Sequence, residues 1–218
     1  MNSIPPYWSN VEEFILTPML RFGLIALFCL TLMGFTSRQV TYQIQESSWF
    51  SITGTSNINS FECFCNEKLS NGTVMMEKRG DENILKFSQA VINLKVKSLD
   101  CHNPFLNRDF YRTLNADKNP EINIELQEAN ADKIQNFGFA KENEAIKASV
   151  IITLNGLCKI ISIDINWLKI NDDTFEFSGQ KELQMSDFNI IPPTSMLGLI
   201  KVDDTINIKF NLIIRAIS

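Results

Sequence analysis

The chain of 218 residues contains a single histidine, His102. Any site that needs two imidazoles, such as a His-x-x-x-His zinc hydrolase, is therefore excluded. Turn breakers are scarce as well, with nine glycines and seven prolines against sixteen phenylalanines. There is no Gly-rich phosphate loop, no Gly-x-Ser-x-Gly elbow and no Asp-x-Asp calcium loop. Positive charge is short too, with 20 Lys and Arg against 25 Asp and Glu, a net charge of −5. That balance argues against nucleic-acid binding, which depends on Lys and Arg neutralising phosphates. What remains is an ordinary apolar fraction of 44%, enough for a packed core. The length suits one domain with an appendage, or one large β domain.

Long apolar runs are also missing. The longest, Phe22 to Thr36, falls short as a helix of the ~30 Å hydrocarbon core. Arg21 precedes it, and Thr36-Ser37 and Arg38 follow, which is the layout of a secretory signal peptide. The residues ahead carry Glu12 and Glu13 and no Lys or Arg, so a start at Met19 fits a signal better than Met1. The alternative is an uncleaved signal anchor that holds residues 22–36 in the inner membrane. Cys29 follows Ala26-Leu27-Phe28, too bulky a lead for a lipidated cysteine. The expected division is a signal or anchor over 1–39 and an exported domain over 40–218, in the periplasm or cell envelope of a bacterium.

Export changes how Cys63, Cys65, Cys101 and Cys158 are read. In an oxidising compartment disulfides persist, and one or more are expected among these four. Buried free thiols, or soft metal ligation by Cys63-x-Cys65 and Cys101-His102, are the alternatives.

The body of the chain alternates with period two. Ile206, Ile208, Phe210, Leu212, Ile214 and Ala216 share one face of a last strand. Ile146 to Leu154 repeats the pattern, Asn155-Gly156 makes a hairpin turn, and Ile161, Ile163, Ile165 and Trp167 line the next strand. Asn171-Asp172-Asp173 turns the chain into a strand that begins with Phe175 and Phe177. Strands are also expected at Trp49–Thr53, Ser60–Cys65, Thr73–Glu77, Ile84–Ser98 and Glu121–Leu126, with a bulge at Ser88-Gln89-Ala90. One segment breaks the period: Asn103 caps a helix, Pro104 opens it, and Leu106, Phe110 and Leu114 follow at four-residue spacing. Pro120 ends it. The fold class is all-β with one short amphipathic helix, closed as a barrel or packed as a sandwich to hide its edges.

Catalytic constellations are weak. A nucleophile would have to use His102, and the carboxylate pairs Asp172-Asp173 and Asp203-Asp204 sit where solvated turns are expected. The reading is therefore a non-enzyme, with no catalytic residue, cofactor or metal.

Several motifs together resemble the YceI-like family of exported lipid-binding proteins. They begin with Gly54-Thr55-Ser56-Asn57, Phe61-x-Cys63 and Leu99-Asp100-Cys101. More specific is Asn107-Arg108-Asp109-Phe110-Tyr111, followed by Leu114, Ala116-Asp117-Lys118, Pro120 and Ile122. Most specific is Met185-x-Asp187-Phe188-x-Ile190-x-Pro192-Pro193 with Leu197-Gly198-Leu199-Ile200-Lys201-Val202 behind it. The resemblance covers about residues 42–216 and is nearest the branch with a cysteine in the Phe-x-Cys strand and another before the helix. It departs where Asn155 replaces a common histidine and Asn119 a common aromatic.

The resemblance implies an extended eight-stranded antiparallel barrel of lipocalin-like shape, with an apolar tunnel for a polyisoprenoid, an isoprenoid quinone or a similar lipid. It also implies a Cys63–Cys101 disulfide. On that reading Trp49, Phe61, Tyr111, Ile122, Ile163, Ile165, Phe177 and Phe210 line the tunnel, while Phe110, Leu114, Phe188, Met196 and Leu197 sit at its mouth. The partner is a long-chain isoprenoid lipid, with membrane contact through the N-terminal segment if it is uncleaved, and a homodimer is allowed. The rivals are a structural envelope domain with a solid core and, behind it, a lipid head-group enzyme.

Overall fold

The computed structural model describes residues 35–79, 83–130, 134–135, 138–139, 145–195 and 199–217. The expected signal or anchor helix and the Met19 start fall on residues outside these, as do Met196 and Leu197. Among the described residues, no helix is long and apolar enough to cross a membrane.

Among the described residues, seven strands precede the helix: β1 (Phe35–Ile44), β2 (Trp49–Ser56), β3 (Ser60–Cys65), β4 (Gly72–Arg79), β5 (Ile84–Ser88), β6 (Val91–Lys95) and β7 (Leu99–Asp100). The helix α1 (Pro104–Thr113) leads to β8 (Glu121–Asn130) and two short strands, β9 (Ile134–Gln135) and β10 (Gly138–Phe139). Long strands follow: β11 (Ile146–Leu154), β12 (Leu157–Lys169) and β13 (Thr174–Gln184), then short β14 (Thr194–Ser195) and β15 (Ile200–Ile217). All pairings are antiparallel, and β1-β4-β5-β8-β11-β12-β13-β15 closes into a ring of eight through the β1–β15 pairing.

The barrel has two tiers because several strands are bent rather than ended. β1 and β2 run end to end along one edge of β15, pairing Ile214–Ile217 and then residues from Asn211 down to Val202. β5 and β6 do the same along β8. The break between them falls at Gln89, whose φ of 67° marks the expected bulge. At the other tier β2, β3 and β7 replace β1, β4 and β5 in the wall.

The sequence reading assigns no strand before Trp49, yet β1 starts at Phe35. Only Val40, Tyr42 and Ile44 alternate there; the inward position before them holds Arg38, opposite Met76. The helix is as expected. Asn103 Oδ1 accepts hydrogen bonds from the backbone N–H of Phe105 (2.9 Å) and Leu106 (3.2 Å), with Pro104 in the first turn.

The two tiers differ in packing. Around the helix, Cys63, Leu94, Leu99 and Phe188 have no exposed surface, and Val96, Ile122, Leu114 and Met185 are almost as deep. At the end holding β1, inward positions such as Tyr42, Met76, Phe87, Phe175, Phe177, Leu212 and Ile214 are only half-buried.

Candidate functional site: the barrel interior

Register decides which side chains face inward, because directly paired residues share a face. On β15, Ile206, Ile208, Phe210, Leu212 and Ile214 pair with Leu183, Lys181, Gly179, Phe177 and Phe175 of β13. Ile165 and Trp167 continue that face across β12, opposite Gly179 and Phe177.

Three inward aromatics lie over glycines on the neighbouring strand: Phe61 on Gly54, Tyr42 on Gly72 and Phe210 on Gly179. A Cβ at Gly179 would meet Phe210 Cζ at 2.9 Å. The missing side chain lets the ring lie along the wall instead of across the lumen. Burial raises the pKa of the Tyr42 phenol above its ordinary value, so it stays a neutral hydrogen-bonding group.

Of the expected lining residues, Phe61, Ile163, Ile165, Phe177 and Phe210 face inward. Ile122 does too, but it is sealed in the packed tier. Trp49 does not line the barrel. It pairs with Asn211 on the outer face and is 41% exposed, while its neighbour Phe50 takes the inward place at 4%. Tyr111 is a fastener: its single O–H is shared between the carbonyls of Leu99 (2.8 Å) and Lys97 (3.1 Å), tying α1 to the wall. The described residues expected at the mouth pack beside the helix. Phe188 is fully buried and Leu114 is 3% exposed, with Phe110 packed against the same core, so this end is plugged. Sequence reasoning missed Tyr42, Met76, Phe87, Phe175 and Lys181. The alternation of β1, β4, β5 and β13 carries the signal for them.

The helix end is held from several sides. Cys63 and Cys101 form a disulfide across 38 residues, a closure that contributes ~3–4 kcal/mol on a loop-entropy estimate. Cys65 and Cys158 are free, and Cys65 pairs with Leu99 while Cys63 pairs with Ile52. Asn107 Oδ1 accepts from Cys101 N–H at 2.7 Å, and its Nδ2 donates to Asp100 Oδ1 at 2.7 Å. The Asn107 amide and the His102 N–H hold the Asp100 carboxyl below its ordinary pKa. His102 itself is exposed, near Phe64 on the outer face. The two departures from the family pattern meet in space. Asn119 Nδ2 donates to Asn155 Oδ1 at 3.2 Å, and Asn155 Nδ2 donates to the Phe188 carbonyl at 3.0 Å.

One feature of the wall has no trace in the expectations. β12 pairs with β11 from Leu157 to Ile165, and β13 pairs with β15 along its whole length. Yet β12 and β13 pair with each other only between Ile165–Lys169 and Phe175–Gly179. Below that, a seam separates Leu157–Asp164 from Gln180–Gln184. A cleft of about 520 Å³ fills it, lined by Ser162, Ile163, Asp164, Gln180, Lys181, Glu182, Gln184 and Asn207. A neighbouring groove of about 460 Å³ runs along the outer face between Thr53, Glu62, Thr205 and Lys209.

Comparison with known proteins agrees with this architecture. BcnA of Burkholderia cenocepacia is similar at 16% identity and a TM-score of 0.57, over 78% of this chain and 99% of that one. A polyisoprenoid binding domain from Saccharophagus degradans, implicated in plant cell wall breakdown, is similar at 8% identity and a TM-score of 0.57, over 82% and 99%. No curated protein matches the chain. The YceI-like domain family model matches residues 33–214, and the chain belongs to that family.

Proposed function

We propose that the protein is a non-enzymatic binder and carrier of a long apolar ligand of the polyisoprenoid class, held in the loosely packed tier of the barrel. The observation that carries this reading is the half-buried state of inward Tyr42, Met76, Phe87, Phe175, Phe177 and Phe210. A lipid chain covering those groups would gain roughly 25 cal/mol for each Å² of apolar area removed from water. Family membership and the fold shared with a polyisoprenoid binding domain support the same assignment. The sole imidazole lies outside the barrel, which favours binding over acid–base chemistry on a ligand inside. The Cys63–Cys101 bridge favours an oxidising compartment, so we place the domain outside the cytoplasm, tethered by residues 22–36 if these are retained.

Native mass spectrometry of the full chain, expressed with export and followed by solvent extraction, tests the reading. A lipid of defined mass retained through purification is the expected result. An empty protein that also refuses added isoprenoid quinones would overturn it in favour of a structural envelope domain, which the packed tier alone would suit.

A further inference from the structure

The seam between β12 and β13 is where the wall stops pairing, and its lining mixes residues of both faces. Ser162, Asp164, Gln180, Glu182 and Gln184 are exposed on the outside, whereas Ile163 and Lys181 belong to the inner face. Each bordering strand also turns half of its backbone N–H and C=O groups into the gap, where no strand receives them.

Two lysines occupy inward positions beside this seam. Lys159, opposite Ile152, has a counter-ion in Asp187 at 3.6 Å. Lys181, opposite Ile208, is half-buried and makes no ion pair among the described residues. Its neighbours along the inner face define its level. Leu183 on one side belongs to the packed tier at 5% exposure, and Gly179 on the other carries the flattened Phe210 ring. Lys181 therefore stands on the floor of the apolar chamber, with the seam beside it. A lone ammonium at that place has three N–H donors and no acceptor.

We propose that this seam is the head-group site of the barrel's ligand, and that Lys181 donates to an uncharged oxygen, a hydroxyl or carbonyl, at one end of an isoprenoid chain. The chain itself runs up the open tier from Phe210 and Ile165. Charge selects against a diphosphate head. Asp164 and Glu182 line the same cleft as Lys181, and the Lys159 ammonium is already paired with Asp187, so a multiply charged anion would meet two carboxylates at the same lip. A neutral oxygen accepts from Lys181 and leaves both carboxylates hydrated.

This inference rests on the lipid-binding reading and is tested separately from it. Geranylgeraniol and geranylgeranyl diphosphate carry the same chain with different heads, and both are titrated into the full-length protein by native mass spectrometry. The alcohol is expected to bind at least about tenfold more tightly than the diphosphate. Lys181→Met keeps the length of the side chain and should weaken the alcohol about five- to tenfold without moving the thermal midpoint of the ligand-free protein. Asp164→Asn with Glu182→Gln should tighten diphosphate binding while leaving the alcohol unchanged. Equal or tighter binding of the diphosphate by the unmodified protein overturns the neutral-head assignment. Unchanged binding of the alcohol by Lys181→Met overturns the site while the carrier reading stands. Uptake of neither compound overturns both.

Discussion

The two tiers of the barrel use the same alternating strands to opposite ends. At the helix, Phe188, Leu94, Leu99 and Cys63 interlock until none retains exposed surface, and a disulfide and the Tyr111 hydroxyl close the end. At the other end Arg38 interrupts the inward face, and Tyr42, Met76, Phe87, Phe175 and Phe177 stay half-buried beside buried Ile44 and Leu85. Apolar content alone does not set how deeply an inward side chain is buried.

The sharpest way to break this comparison is to truncate one phenylalanine from each tier. Phe188→Ala should cost about 3–5 kcal/mol in denaturant unfolding, because it leaves a cavity in a filled region. Phe177→Ala should cost well under half of that, since its ring already meets water; equal losses would erase the distinction between the tiers. A smaller effect is expected at Gly179. Gly179→Ala pushes the Phe210 ring toward the lumen, and affinity for an isoprenoid alcohol should fall about tenfold while Tm changes little. If affinity is unaffected, the flattened ring does not set the bore.

The smallest effect concerns acid. The Asp100 carboxyl sits below its ordinary pKa in the folded protein because Asn107 and the His102 N–H hold its charged form. Its contribution is therefore present above the ordinary carboxylate value and is lost as pH falls through the depressed one. Asp100→Asn should flatten that part of the acid-unfolding curve. A variant as acid-sensitive as the unmodified protein would show that the helix anchor does not depend on this charge.

Much of this architecture was legible in the sequence, because period two is a local signal. The strand Ile206–Ala216, the Asn155-Gly156 hairpin, the bulge near Gln89 and the Asn103 cap all follow from residues close together. β1 was lost because Arg38 interrupts its inward face. Trp49 was misjudged by one residue, and a shift of one exchanges the faces of a strand. Phe110, Leu114 and Phe188 have the same composition whether they plug a barrel or line it, so their packing was not legible in the sequence. The seam was illegible for a different reason. Nothing within β12 or β13 says that two neighbours stop pairing at Ile165 and Gly179; the trace it leaves is a lysine on the inner face of each strand, Lys159 and Lys181.

That unzipped length also bears on how the protein avoids its own copies. A continuous barrel offers no strand edge for another chain to extend, but here Leu157–Asp164 and Gln180–Gln184 present two, facing each other. Each edge screens the other, and the Lys159–Asp187 pair lies beside the gap. Ser162, Asp164, Gln180 and Glu182 line it with groups that an invading β-strand would have to strip of water. These polar lips also suit a gatekeeping role against sheet-to-sheet aggregation, and replacing them with valine or isoleucine is expected to raise the tendency of the chain to aggregate.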